Sequence, residues 1–301
     1  MARFRYYISA MRLRTLPLSL AGVSLGLLLA AADYRVGWEV VLFTLLTTVL
    51  LQITGNVSNE LGDYLSGTDR TERLGPSYSL SSGLLRERDF KVMIAVYISL
   101  SILSGLALVW FSFGTFFCIE SLLFIVLGGA AIMASVRYTL GRNPYGYRGQ
   151  GDFYVFVFFG MVPVLGSYFL ASHELFWKML LPAVSMGAFS TGVLNVNNIR
   201  DMATDAATRV TVPLKIGEKA AKIYQTALVS VGWICMAAYS LLRMYDPWHY
   251  LFVLTLPLFV IHLKGVWKYS GRELDRMLPL LVVATFLFAV LGGLGYVIFL
   301  F

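Results

Sequence analysis

The chain has 301 residues, 58% of them hydrophobic, with a mean hydropathy of +0.72. Only 14% are charged, against roughly 25% in soluble domains, which excludes an ordinary water-soluble enzyme and places the chain in a bilayer. The net charge is +7, and in a membrane protein what matters is which side holds the Lys and Arg residues.

Arg3, Arg5, Arg12 and Arg14 precede the first apolar run. That run is long enough to span, so it reads as an anchor rather than a cleavable signal peptide. A helix needs about 20 mostly apolar residues to cross the hydrocarbon core. The stretches 16–32, 37–57, 91–112, 114–136, 153–172, 177–198, 220–242, 247–264 and 277–301 meet this requirement. Alternating them from a cytoplasmic N-terminus puts 21 of the 24 Lys and Arg residues inside and leaves only Arg35, Lys178 and Arg243 outside. This asymmetry predicts an all-α bundle of nine transmembrane helices, N-in and C-out, in one domain over 1–301. Cys118 and Cys235 fall within apolar runs and read as small core residues, with no disulfide expected. No nucleic-acid partner is expected.

The outer connections, such as "DYRVG" and "FSFGT", are short, whereas the inner ones, 58–90, 137–152 and 199–219, hold most of the remaining polar residues. The first inner loop is entered through "GNVSNELGDYLSGTD". On a helix Asn56, Asn59, Glu60 and Asp63 share one face, and Asp69 follows in a loop. A weak echo, "NVNNIRDMATD", closes the sixth span and aligns Asn195, Asn198, Asp201 and Asp205 on one face. Carboxylates this close to hydrocarbon are costly and point to function. Facing one another in a low-dielectric site they need a cation between them, and all-oxygen ligands suit Mg²⁺, which binds carboxylates together with substrate phosphates.

Arg70, Arg73, Arg200, Arg209 and Lys215 surround the acids. Arg and Lys bind phosphate oxygens, so acids, Mg²⁺ and basic residues together describe a diphosphate site. In a membrane protein that diphosphate would be a polyprenyl diphosphate with its tail in the bilayer. The third inner loop, "SVRYTLGRNPYGYRGQGDF", mixes Arg137, Arg142 and Arg148 with Tyr138, Tyr145 and Tyr147. It reads either as an interfacial belt or as a cap that helps hold an anionic aromatic partner. His173, His249 and His262 have no metal-ligand spacing, and no P-loop is present.

At "MRLRTLPLSLAG", "LLQITGNVSNELGDYLSGTDRTERLGP", "RYTLGRNPYGYRGQGDFYVFVFFG" and "LNVNNIRDMATDAATRVTVPLKIG" the chain resembles the UbiA superfamily of intramembrane aromatic prenyltransferases. "NNIRD" and "PYGYRGQGD" resemble the branch that acts on 1,4-dihydroxy-2-naphthoate. The resemblance implies nine helices around a central cavity in a bacterial plasma membrane, with the site toward the cytoplasm. It implies a metal set of Asn59, Glu60, Asp63, Asp69, Asn198, Asp201 and Asp205. Arg70, Arg200, Arg209 and Lys215 would meet the diphosphate, and Arg137, Tyr138 and Asn143 the aromatic acceptor. Asp63, Asp201 and Arg142 would be catalytic. Glu60 stands where relatives usually have Asp, Tyr78 where several have Arg, Leu13 where the N-terminal motif has Pro, and Arg209 near a usual Lys. The residues also leave open a different acceptor, such as 4-hydroxybenzoate, or a cation or organic-anion transporter.

Overall fold

A computed structural model describes residues 2–67, 80, 83–206, 208–243 and 246–298. Among the described residues, nine helices are long and apolar enough to cross a bilayer. They are α1 (Arg5–Ala31), α2 (Trp38–Leu65), α3 (Glu87–Phe113), α4 (Ile119–Arg137), α5 (Gly151–Ser172), α6 (Trp177–Arg200), α7 (Glu218–Leu242), α8 (Pro247–Lys268) and α9 (Gly271–Val297). The number agrees with the sequence reading; several boundaries move.

One shift that bears on the site is in α2, which runs eight residues past the expected end at 57 and keeps its polar stretch helical. Helix satisfies the backbone internally, and the polar side chains find partners on neighbouring elements, so no break is required. The third and fourth spans are separated more widely than expected. Gly114 at φ 68° ends α3 in the left-handed region, and the Cys118 thiol accepts the Ser121 N–H at 3.4 Å to start α4. At its other end α3 is capped by Asp89, whose carboxylate accepts the Arg86 N–H at 2.9 Å.

α6 is the most enclosed helix and α4 the least. α6 packs along α7 and α5, α1 against α9 and α5, and α2 against α3, with α4 leaning on α2 and α3. Of the four apolar clusters among the described residues, two flank the site. The larger joins α1, α5, α6, α7, α8 and α9 around Leu25, Tyr168, Phe189, Met236, Phe259 and Phe288. The smaller joins the start of the chain to α2 and α3 around Ile53, Val57, Leu61 and Phe90. Between them α5 carries a π-helical turn at Val157–Met161. There Gly160 meets α6 at Gly187 so closely that a Cβ on Gly160 would lie 2.2 Å from the Gly187 Cα. The approach fixes how α5 presents Phe158 and Phe159 to the interior. Gly160→Val is therefore expected to cost at least about 1–3 kcal/mol through overpacking, read as a lowered melting temperature of the purified protein in detergent.

Candidate active site

A cavity of about 570 Å³ lies between the two cores, within the range of small-molecule sites. Its apolar walls come from Leu18 and Val23 of α1, Leu51 of α2, Phe124 and Leu127 of α4, Phe158 of α5 and Val193 of α6. Its polar end is built where α2 and α6 finish: Asn56, Asn59 and Asp63 from one, Asn197, Asn198 and Arg200 from the other, with Arg209 just beyond.

The two acidic motifs meet here, through arginines. Asp63 is 4% exposed and Asp205 fully buried. The Arg209 guanidinium lies between them, with Nη2 at 3.4 Å from Asp63 Oδ1 and Nε at 3.3 Å from Asp205 Oδ1. Asp201 takes a different partner: Arg200 grips it in bidentate fashion at 2.8 and 2.7 Å and reaches Asp275 at 2.6 Å with its remaining nitrogen. Buried carboxylates in a low dielectric require such pairing. Glu60, on the same helical face as Asp63, turns to the side of α2. It accepts the Leu80 N–H at 3.1 Å and sits 3.8 Å from Arg12, and it does not line the cavity.

The tyrosine-rich loop closes over this end. Tyr147 donates its phenol proton to Asp63 at 2.7 Å, lies 3.0 Å from the Ser66 hydroxyl, and carries the Arg209 guanidinium 5.1 Å above its ring. Burial, reinforced by the Asp63 charge, pushes its phenol well above the ordinary range, so it stays protonated and able to donate. The loop is stitched to the second acidic segment by the Val210 N–H bonded to the Tyr147 carbonyl at 3.0 Å. Below it, Tyr138, Tyr145, Tyr154 and Phe158 form an aromatic ladder along the cavity wall, with Tyr145 stacked on Tyr154 at 3.8 Å. Burial holds the Tyr138 phenol up at about 12. A close approach sets the loop's origin: a Cβ on Gly62 would lie 2.5 Å from Thr139, whose hydroxyl donates to the Ser58 carbonyl and to Asn59 at 3.1 and 3.2 Å.

Arg12 and Arg14, which the sequence offered only as flanking charge, line the same cavity. Arg12 adopts φ 49°, a left-handed conformation that costs a non-glycine residue roughly 1–2 kcal/mol. α2 latches that kink: Asn56 donates to the Met11 carbonyl at 2.8 Å and the Thr15 hydroxyl at 2.9 Å, and Gln52 donates to Thr15 at 3.1 Å. Gln52, Asn197 and Asp275 are further lining residues that motif reading missed. Gln52 and Asn197 fall within the quoted motifs but outside the Asn–acid stripes read from them, and Asp275 lies outside every motif, so the stripes alone did not single them out.

Other expected residues stand apart. Asn195 points away, donating to Gln225 at 2.9 Å, and Gln225 in turn lies 3.0 Å from His262. The His262 Nδ1 lies 3.1 Å from the Met277 carbonyl, which can only accept, so Nδ1 carries a proton. Arg137, Arg142 and Asn143 are exposed and do not line the cavity. Lys215 is exposed beside the loop, where a Cβ on Gly149 would meet its Nζ at 2.9 Å. Asp69, Arg70, Arg73 and Tyr78 lie outside the described residues.

Among the described residues no three His, Cys, Asp or Glu side chains form a ready-made metal cage. The groups at the cavity end, the Asp63 carboxylate and the Asn59 and Asn198 amides, are oxygen donors, with Asp205 one guanidinium away. That set fits Mg²⁺ drawing its remaining oxygens from a diphosphate, the usual arrangement for this ion.

The UbiA prenyltransferase family matches residues 19–283. The chain belongs to that family. It is 36% identical over 283 residues to 1,4-dihydroxy-2-naphthoate octaprenyltransferase of Escherichia coli (strain K12), covering 93% of this chain and 90% of that one. It is 32% identical over 302 residues to the protein of the same name from Mycobacterium tuberculosis (strain ATCC 25618 / H37Rv), covering 98% and 99%. Among solved structures, the apo UbiA homolog from Aeropyrum pernix K1 superposes with TM-score 0.71 at 15% identity, over 96% of this chain and 99% of that one. The UbiA homolog from Archaeoglobus fulgidus bound to DMAPP and Mg²⁺ gives TM-score 0.68 at 13% identity, over 97% and 98%. This UbiA-family chain is thus a multi-pass, all-helical membrane protein. Because Tyr147 supplies a hydrogen bond to a buried carboxylate, Tyr147→Phe is expected to lower kcat/KM for prenyl transfer about 10- to 100-fold, from roughly 1.5–3 kcal/mol for a bond to a charged group. Steady-state assays in detergent check this; an unchanged value would mean Tyr147 does not orient Asp63.

Proposed function

We propose that the chain transfers a polyprenyl group from an allylic polyprenyl diphosphate to 1,4-dihydroxy-2-naphthoate, releasing diphosphate and CO₂ and giving a demethylmenaquinol. The observation that carries this reading is the meeting of both acidic motifs with Arg200 and Arg209 at the polar end of an otherwise apolar cavity. The curated relatives that share about a third of their residues with this chain bear the name of that activity.

Asp63, Asp205, Asn59 and Asn198 would hold Mg²⁺, with Asp201 adjoining. The ion supplies charge neutralisation for the diphosphate leaving group. Arg200 and Arg209 face the same end and would take phosphate oxygens, helped by Arg12 and Arg14 from the kinked entry to α1. As the allylic C–O bond ionises, the aromatic ladder from Tyr138 to Phe158 offers ring faces to the cationic carbons. The apolar walls exclude water that would quench the cation. The electron-rich acceptor ring attacks the allylic carbon, and its carboxylate departs as CO₂ with the electron pair returning to the ring. Exposed Arg137, Arg142 and Asn143 suit acceptor entry at the loop rather than contact in the cavity. A cavity of about 570 Å³ is sized for the diphosphate head, the first isoprene units and the acceptor. A long prenyl tail would leave it toward lipid. With the N-terminus in the cytoplasm, the acidic end faces the compartment that supplies both substrates.

Mass spectrometry of products from purified protein, Mg²⁺, a mixture of prenyl diphosphates and either 1,4-dihydroxy-2-naphthoate or 4-hydroxybenzoate tests this. The expected product is decarboxylated prenyl naphthoquinol, with none from 4-hydroxybenzoate. Prenylated hydroxybenzoate as the main product would reassign the acceptor.

A further inference from the structure

Among the described residues, Arg200 and Arg209 meet the acids of this site, and they do so differently. Arg200 and Asp201 form a tight bidentate pair at 2.7 and 2.8 Å, the geometry of a strong charge-assisted fork. Arg209 instead straddles two carboxylates at 3.3 and 3.4 Å, longer than the 2.7–2.9 Å of an optimised pair. Its side chain is 7% exposed, so water cannot screen the contact. It belongs to no long helix: it follows the short helix Met202–Asp205, and its backbone N–H bonds to the Asp205 carbonyl at 3.0 Å. Above the acids the Tyr147 ring gives the guanidinium a second favourable face at 5.1 Å.

We propose that Arg209 is the internal counter-cation of the metal-free site: it holds Asp63 and Asp205 together until a divalent metal exchanges with it, and the exchange frees the guanidinium for the diphosphate. This rests on the Mg²⁺–diphosphate reading of the site. In this scheme Arg200 is the fixed cation and Arg209 the exchangeable one. Metal and diphosphate then bind cooperatively, because the metal takes the acids and the phosphate takes the displaced arginine.

The test is Mn²⁺ binding to the purified full chain, followed by electron paramagnetic resonance with and without inorganic pyrophosphate. Wild type is expected to bind Mn²⁺ weakly alone and more tightly with pyrophosphate. Arg209→Met is expected to bind Mn²⁺ alone at least about tenfold more tightly, equivalent to about 1.4 kcal/mol, and to lose most of the enhancement by pyrophosphate. Arg209→Lys keeps the charge without the fork that spans both acids and should fall between the two. It covers the case in which the methionine variant does not fold without metal. Where Arg209→Met folds but is destabilised without metal, a larger rise of its melting temperature with Mn²⁺ than in wild type supports the exchange. Unchanged or weaker Mn²⁺ affinity in both Arg209 variants, with binding lost in Asp63→Asn, would overturn the counter-cation role while keeping the metal site. Wild-type Mn²⁺ binding in Asp63→Asn would overturn the metal reading itself, and the proposal with it.

Discussion

Two buried carboxylates, Asp63 and Asp205, sit within reach of one guanidinium at the end of an apolar cavity, and the rest of the site is arranged around that contact. Charges this far from water are tolerable only when paired, because desolvation costs several kcal/mol per ion. The pairing joins α2 to the segment after α6, so the same contact that makes the acids tolerable also brings the two halves of the bundle into register. The Tyr147 loop closes the arrangement by bonding to Asp63 with its phenol and to Val210 with its carbonyl.

The bundle is organised to keep a polar site inside an apolar envelope. The larger core holds α1 and α5–α9 together, the smaller holds α2 and α3, and the cavity occupies the seam between them. A site at a seam can be lined by many helices without disturbing either core. The cost appears locally, as the left-handed backbone at Arg12 and the π-helical turn in α5. Such irregularities concentrate where a fold trades stability for placement. Here they aim Arg12 and Arg14 and the Phe158–Phe159 edge at the cavity.

Polar residues on one helical face need not share a role. Asn56, Asn59, Glu60 and Asp63 follow the spacing of a single stripe, yet Asn56 latches the α1 kink, Asn59 meets Thr139, Glu60 turns to Leu80 and Arg12, and Asp63 enters the cavity. In α6 Asn195 leaves for Gln225 while Asn198 faces the cavity. Helical spacing sets direction to within a broad arc; what lies across the groove selects the partner.

Composition and apolar run length determined the nine spans, and the paired Asn–acid motifs marked the functional end, because long apolar helices and carboxylates near hydrocarbon each have one dominant physical explanation. Membership of the UbiA family was legible in the same motifs. Which acid meets which cation was decided only by tertiary structure. Arg200 and Arg209 look alike in sequence, but one is locked to its neighbour and the other reaches a carboxylate 146 positions away. Arg12 and Arg14 read as topology signals until the kink turned them inward. The reason is that a charge's partner depends on distances of a few ångströms between elements remote along the chain, and neither periodicity nor composition encodes those distances.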